Sequence, residues 1–138
     1  MKTEFKFKDS IYLISGDQEI DLHNAYYFRG VNYSIAERRV TLSWERGDGD
    51  WVGKTLPSLI DAEFRGIIHF QFNPRDPEMP FSEDDCLSSI GYWVDEDWCD
   101  GIFSTEGEPD PEWLTAFEFM SGATILLKAD EAKVIISR

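Results

Sequence analysis

One stretch of the sequence spaces its carboxylates in the way that a calcium-binding loop does. In loops of the EF-hand type, oxygen ligands occupy positions one, three, five and twelve, and a glycine at position six makes the sharp turn. Asp95, Asp97 and Glu106 fill the first, third and twelfth positions. Cys99 stands at the fifth and Asp100 at the sixth, so the ligand set and the turn are both incomplete. We therefore predict a solvated acidic loop with no metal and no cofactor, and keep a calcium- or small-ligand-binding β-domain as the alternative.

Few groups are available for proton transfer or nucleophilic attack. His23 and His69 are the only imidazoles, and Cys86 and Cys99 are the only thiols. A nucleophilic cysteine needs a base beside it, and nothing in the sequence brings a thiol and an imidazole together. The chain also lacks a Gly-x-Ser-x-Gly elbow, a phosphate-binding glycine-rich loop and a Cys-x-x-Cys pair. We predict that the protein is not an enzyme.

The N-terminal residues alternate charge with phenylalanine and contain no apolar signal segment, and no window of the sequence approaches a membrane-spanning run. Two thiols in a chain without a signal are expected to be reduced. We therefore expect a cytoplasmic protein.

The net charge of the chain comes from one contiguous segment, residues 76–127. This segment holds 14 carboxylates and no lysine, arginine or histidine, and the net charge of the whole chain is −14. Its aromatic residues are Phe81, Tyr92, Trp93, Trp98, Phe103, Trp113, Phe117 and Phe119. A sequence pI near 4.4 argues against binding to nucleic acid or to an anionic membrane, because phosphate groups would repel it.

Clustered carboxylates with aromatic rings among them are typical of a charged rim around an apolar contact. We predict that the segment docks a basic protein partner, with the acids steering association and the rings supplying packed contact. The residues predicted to bind the partner are Glu83, Asp84, Asp85, Trp93, Asp95, Glu96, Asp97, Trp98, Asp100, Phe103 and Trp113. A plain solvated face is one alternative. A self-associating accessory domain that pairs through a β edge is another.

Hydrophobic periodicity predicts a mainly β fold, an antiparallel sandwich or meander in a single domain over residues 1–138. From Ile60 to Phe72 the even positions are almost all apolar, which predicts a long strand with its even positions on the buried face. Gly66 inside this strand suggests a bulge or bend. Further strands are predicted in or around residues 5–14, 25–34, 40–44, 92–94, 115–119, 124–128 and 133–136, with a turn at 130–132.

Two segments carry helix-start signals. Ser82 is followed by acidic residues and then by apolar residues at helical spacing up to Ile90. Asp110 precedes a proline, and the apolar residues that follow keep helical spacing up to Phe117. We expect at least one of these short helices to form.

The order of elements resembles small bacterial immunity proteins of polymorphic-toxin and contact-dependent inhibition systems. The resemblance lies in residues 21–25, 38–44, 62–72 and 119–125. It implies a cytosolic β-protein that occludes a toxin domain and has no catalysis of its own. Immunity proteins of this type share no catalytic motif, so the resemblance assigns no residue a role.

Overall fold

The computed structural model describes residues 1–94, 101–105 and 108–137. Within these residues the fold is mainly antiparallel β, as predicted. The strands are β1 (Lys2–Thr3), β2 (Lys6–Lys8), β3 (Tyr12–Ser15), β4 (Gln18–Asp21), β5 (Tyr26–Ser34), β6 (Arg39–Arg46), β7 (Leu59–Asn73), β8 (Leu87–Trp93), β9 (Leu114–Phe119) and β10 (Thr124–Ser137). One turn of 3-10 helix covers Phe81–Glu83.

Most strands belong to one sheet in the order β5-β6-β7-β10-β9-β8, and β1 adds to β10 in parallel. Strands β2, β3 and β4 form a separate antiparallel sheet. No helix in the described ranges is long and apolar enough to cross a membrane.

The two longest strands, β7 and β10, pair along nearly their whole lengths and bend together. Gly66 adopts a φ of +70°, which favours glycine, and the register of the pair shifts between Lys128 and Ala129. The bulge also changes which residues face the core. Ile67 is buried, whereas Ile68 is 58% exposed, so the prediction that Ile68 lies on the buried face is wrong. The predicted irregularity is present, with a positive φ at Gly66 and a bulge at Ile68, two residues later.

Aromatic contacts show that the curled sheet folds over onto itself. Phe117 of β9 lies 5.8 Å from Trp44 of β6 and 6.1 Å from Phe64 of β7, measured between ring centroids. Phe7 of the small sheet reaches the same ring at 6.1 Å. The small sheet therefore closes over the core that the large sheet encloses, and Phe117 lies at its centre with no exposed surface.

The predicted strands over residues 25–34, 40–44, 60–72, 115–119 and 124–128 are confirmed, but three local predictions are wrong. Residues 82–90 form a 3-10 turn followed by β8, and residues 110–117 form a turn followed by β9, so neither predicted helix exists. The third error is the turn at 130–132, where β10 continues without a break because β7 pairs with it on both sides of the bend. The capping signal of Asp110 is satisfied within a turn, where its carboxylate accepts the Glu112 N–H at 2.9 Å. The apolar residues that follow are buried by pairing into the sheet, where Ile90 and Phe117 are fully buried, and this burial outweighs the local preference for a short helix.

Candidate functional site

The cation-free segment, residues 76–127, forms one side of the large sheet. It contains β8, which is an edge strand, β9 beside it, and the first residues of β10. Its other described residues connect these strands at their two ends. The acidic residues of the segment that the structure describes therefore belong to one side of the fold.

The predicted partner-binding residues divide into two groups along this side. In the β8–β9 pair, Leu87 lies opposite Phe119 and Trp93 lies opposite Leu114. Residues 83–85 precede β8 at the first of these ends, and residues 108–113 precede β9 at the other. The six residue steps of β8 separate the two groups by about 20 Å. The described members of the predicted set therefore lie at two ends of β8, and the predicted residues Asp95, Glu96, Asp97, Trp98 and Asp100 lie outside the described residues.

We call the second group the acidic end and define it by Trp93, Phe103, Glu108, Asp110, Glu112 and Trp113. Its rings are held firmly. Phe103 exchanges two backbone hydrogen bonds with Tyr92, at 2.7 and 3.0 Å, and its ring meets the Trp113 ring edge-on at 4.8 Å. All three rings of the acidic end are half-buried. Gly91 permits this packing, because a side chain there would lie 3.0 Å from Ile102 Cγ2 and still closer to the Phe103 carbonyl.

The carboxylates of the acidic end are exposed and weakly neutralised. Glu108 and Asp110 are exposed, and the side chain of Glu112 is 81% exposed. Lys128 Nζ lies 3.2 Å from Glu112 Oε2, a surface pair of the kind that contributes little to stability. Burial, and then the nearby Glu108 carboxylate, raise the pKa of Tyr92, so this phenol stays protonated beside the acids.

Ion pairing is sparse throughout the cation-free segment. In the part of the chain that the structure describes, its ion pairs are Lys128–Glu112 and Arg75–Asp84, both made by cations that flank the segment. The other side of the sheet differs, because Arg29, Arg39 and Arg65 each pair with a glutamate. The negative charge is therefore segregated in space as well as along the chain.

The first group, residues 83–85, adjoins the opposite edge of the sheet. The Asp85 carbonyl accepts the backbone N–H of Phe28 in β5 at 2.9 Å, which ties the β8 end to the start of β5. Arg75 pairs with Asp84 at 2.8 Å and stacks over the exposed Phe81 ring, with its guanidinium carbon 4.5 Å from the centroid. The anionic character of this end is therefore partly cancelled.

The structure brings together a thiol and an imidazole that the sequence could not place. The Cys86 Sγ lies 3.9 Å from the Leu87 carbonyl oxygen, and His23 Nδ1 contacts the same oxygen. Burial raises the pKa of the Cys86 thiol, and the carboxylates of Glu83 and Asp85 raise it further. Because the thiolate is the nucleophile, these causes make Cys86 less reactive at neutral pH. No signal in the sequence reports that Cys86 and His23 approach the same carbonyl oxygen, since 63 positions separate the two residues.

The candidate calcium ligands of residues 95–106 are Asp95, Asp97 and Glu106, and all three lie outside the described residues. Within residues 1–94, 101–105 and 108–137, no group of three or more histidine, cysteine, aspartate or glutamate side chains is arranged to hold a metal ion. The calcium-binding alternative stays a prediction.

Comparisons with protein-family models, with curated proteins and with solved structures give no match for this chain. The function of this chain is therefore inferred from its own geometry and charge.

Proposed function

We propose that this protein is a non-enzymatic binding protein that docks a basic protein partner through the acidic end. The observation that carries the proposal is the segregation of charge. One side of the sheet bears carboxylates without cations of its own, while Arg29, Arg39 and Arg65 on the other side each pair with a glutamate. A field of one sign over one surface raises the association rate of an oppositely charged partner.

The rings of the acidic end provide partly exposed aromatic surface for contact with a partner. Trp93, Phe103 and Trp113 are half-buried, so each presents part of its surface, and the rings of Phe103 and Trp113 are packed against the core. Rigid aromatic groups lose little conformational entropy on binding, and they are enriched among the residues that dominate binding energy. Tyr92, whose ring contacts those of Phe103 and Trp113, lines a depression of about 310 Å³ together with Lys6, Phe7 and Glu108 among others, which offers room for a partner side chain.

The partner class we favour is a toxin domain whose active site is covered by docking. This choice comes from the resemblance to immunity proteins and from the charge argument, since enzymes that act on nucleic acid present cationic sites. Carboxylates placed over such a site would compete with the substrate phosphates. The protein then needs no catalytic group of its own.

Affinity capture with a matched charge control tests this proposal. Tagged wild-type protein and the variant E108K/D110K/E112K are used to capture proteins from an extract of the native cells. The control D17K/D48K/D50K changes the net charge by the same amount at exposed carboxylates outside the acidic end. We expect wild type and the control to retain a basic protein that the acidic-end variant loses, and the enzymatic activity of that protein to fall on adding wild type.

Equal capture by all three proteins would show that the acidic end does not dock the partner. Equal loss from both variants would mean that only the net charge matters. Either result contradicts the proposal.

A further inference from the structure

The outer edge of β5 is open along most of its length. Its Phe28 N–H is bonded to the Asp85 carbonyl, so the start of the strand is covered. From Arg29 to Ser34, no backbone hydrogen bond to anything outside the β5–β6 hairpin is found in the described chain. A row of unpaired amides on an edge strand is a template for pairing with another strand.

The register shows which amides face outward. Arg46 N–H bonds to Ser58 on the β7 side and Gly47 N–H bonds to Ala25 on the β5 side, so the odd-numbered residues of β6 bond to β5. Opposite β6, Val31 pairs with Leu42 and Tyr33 pairs with Val40, both even-numbered. The N–H and C=O groups of Val31 and Tyr33 therefore point away from the sheet, because backbone groups alternate in direction along an antiparallel strand.

The side chains beside these amides are apolar and partly exposed. Val31 is 39% exposed and Tyr33 is 40% exposed, on the side of the strand that faces the core. The Tyr33 ring lies 5.0 Å from the Phe70 ring of β7, and Phe72 further along β7 is also exposed. An added strand would cover this apolar surface as well as pair the open amides.

We propose that a second copy of this chain pairs with β5 in antiparallel register about Asn32. Val31 then exchanges both backbone hydrogen bonds with Tyr33 of the second copy, and the two-fold axis repeats the same exchange on the other side of Asn32. The Val31 side chain of each copy then meets the Tyr33 side chain of the other copy on the core-facing side of the joined sheets. The two Asn32 side chains lie opposite each other on the outer face, where like amides can hydrogen-bond.

Charge complementarity favours a second copy as the occupant. In this register residue 29 lies opposite residue 35 of the second copy, so Arg29 comes close to Glu37 of the turn that follows. Within each chain Arg29 pairs with Glu45 and Glu37 pairs with Arg39, yet half of the Arg29 side chain and more than half of the Glu37 side chain stay exposed for a further contact. The hairpin from residue 26 to 46 holds four arginines and two glutamates, so pairing along β5 does not press the cation-free segments together.

Sedimentation velocity of the full chain over about 1 to 200 μM tests the proposal. We expect wild type to form a dimer of twice 15.9 kDa. Val31→Pro removes one outward N–H from each copy and leaves the bonds to β6 intact, so the dissociation constant should rise about thirtyfold. Tyr33→Lys, which places a charge on the edge, should also dissociate the dimer. Thermal melts at low concentration check that each variant folds.

Ile68→Lys is the matched control, because Ile68 is an exposed apolar residue of β7 beyond the last residue that pairs with β6. The control should leave the dimer unchanged. A wild-type monomer throughout would overturn the proposal, and so would a dimer that Ile68→Lys dissociates while Val31→Pro does not.

Salt separates this inference from the proposed docking of a basic partner. Two chains of net charge −14 repel at long range, so raising salt should leave the dimer unchanged or strengthen it. The acidic-end variant E108K/D110K/E112K should still dimerise, and Val31→Pro should still capture the basic partner. A dimer that dissociates as salt rises would contradict the pairing described here.

Discussion

The bend at Gly66 gives the sharpest stability prediction, because a second glycine in the chain isolates its cause. Gly66 and Gly16 both adopt left-handed conformations, with φ of +70° and +62°. A Cβ at Gly16 would meet nothing within 4 Å, whereas a Cβ at Gly66 would lie 2.9 Å from Asp130 Cβ and 2.8 Å from its Cγ. Replacing each glycine by alanine therefore imposes the same backbone strain, and only Gly66→Ala adds a steric conflict.

We expect Gly16→Ala to lower the free energy of unfolding by about 1–2 kcal/mol, the cost of the left-handed conformation for a residue with a Cβ. Gly66→Ala should cost about 1–3 kcal/mol more, since β10 must shift away at the point where the two long strands bend together. For a chain of this length each kcal/mol lowers Tm by about 3–4 °C.

Urea unfolding followed by tryptophan fluorescence measures both values, and the slope of the transition checks that the unfolded state is unchanged. Asp130→Gly, alone and combined with Gly66→Ala, completes a double-mutant cycle. The cycle should return a coupling of at least about 1 kcal/mol, because removing the Asp130 side chain relieves the conflict. If Gly66→Ala costs no more than Gly16→Ala, or if the coupling is zero, the close approach of the two strands is wrong.

Two further predictions concern the core and the buried thiol. Phe117→Ala should lower the free energy of unfolding by about 3–5 kcal/mol, because its fully buried ring contacts Phe7, Trp44 and Phe64. The control Phe81→Ala, at an exposed ring, should cost under about 0.5 kcal/mol in the same urea titration. Equal effects of the two substitutions would contradict the core described here. In a Cys99→Ser background, the alkylation rate of Cys86 by iodoacetamide should reach half its maximum above the ordinary thiol pKa, and Asp85→Asn should lower that midpoint only in part, since burial is the larger cause. Because the folded state holds this proton more tightly, the thiol's contribution to stability should be fully present below the unfolded pKa and lost as pH rises through the folded pKa; a rate already maximal at pH 7 would refute the account.

Strand positions were readable from the sequence where alternation extended over many residues. The run from Ile60 to Phe72 predicted β7 correctly, because burial on one face of a strand enforces a period of two. The facing of Ile67 and Ile68 could not be predicted, since Ile68 is an extra residue at a bulge, whereas Phe70 lies opposite the buried Leu127 on the predicted core side. Alternation predicted that Ile68 is buried, but Ile67 is buried and Ile68 is exposed.

The two predicted helices failed for a general reason. Ser82 and Asp110 carry the side-chain acceptors that begin helices, but such acceptors also serve isolated turns, as the Asp110 carboxylate does by accepting the Glu112 N–H. The decision between a helix and a strand depended on partners distant in sequence, because Ile90 and Phe117 lie opposite each other in the β8–β9 pair. Short segments do not contain that information.

The candidate site was predicted in its charge and only partly in its geometry. The exclusion of cations from residues 76–127 is visible in the sequence, and the fold keeps the described residues of this segment on one side of the sheet. Their division between two ends of β8 depends on strand register, and the half-burial of Phe103 and Trp113 depends on packing against Tyr92. Neither property follows from residue type.

The association rate of the captured basic partner, measured by stopped-flow fluorescence against ionic strength, tests the central claim most directly. For wild type the rate constant should fall at least about tenfold between about 50 and 500 mM salt, while the variant E108K/D110K/E112K should associate slowly at every concentration. A rate constant that does not change with salt concentration, or one that is the same for both proteins, would show that the carboxylates of the acidic end do not accelerate docking.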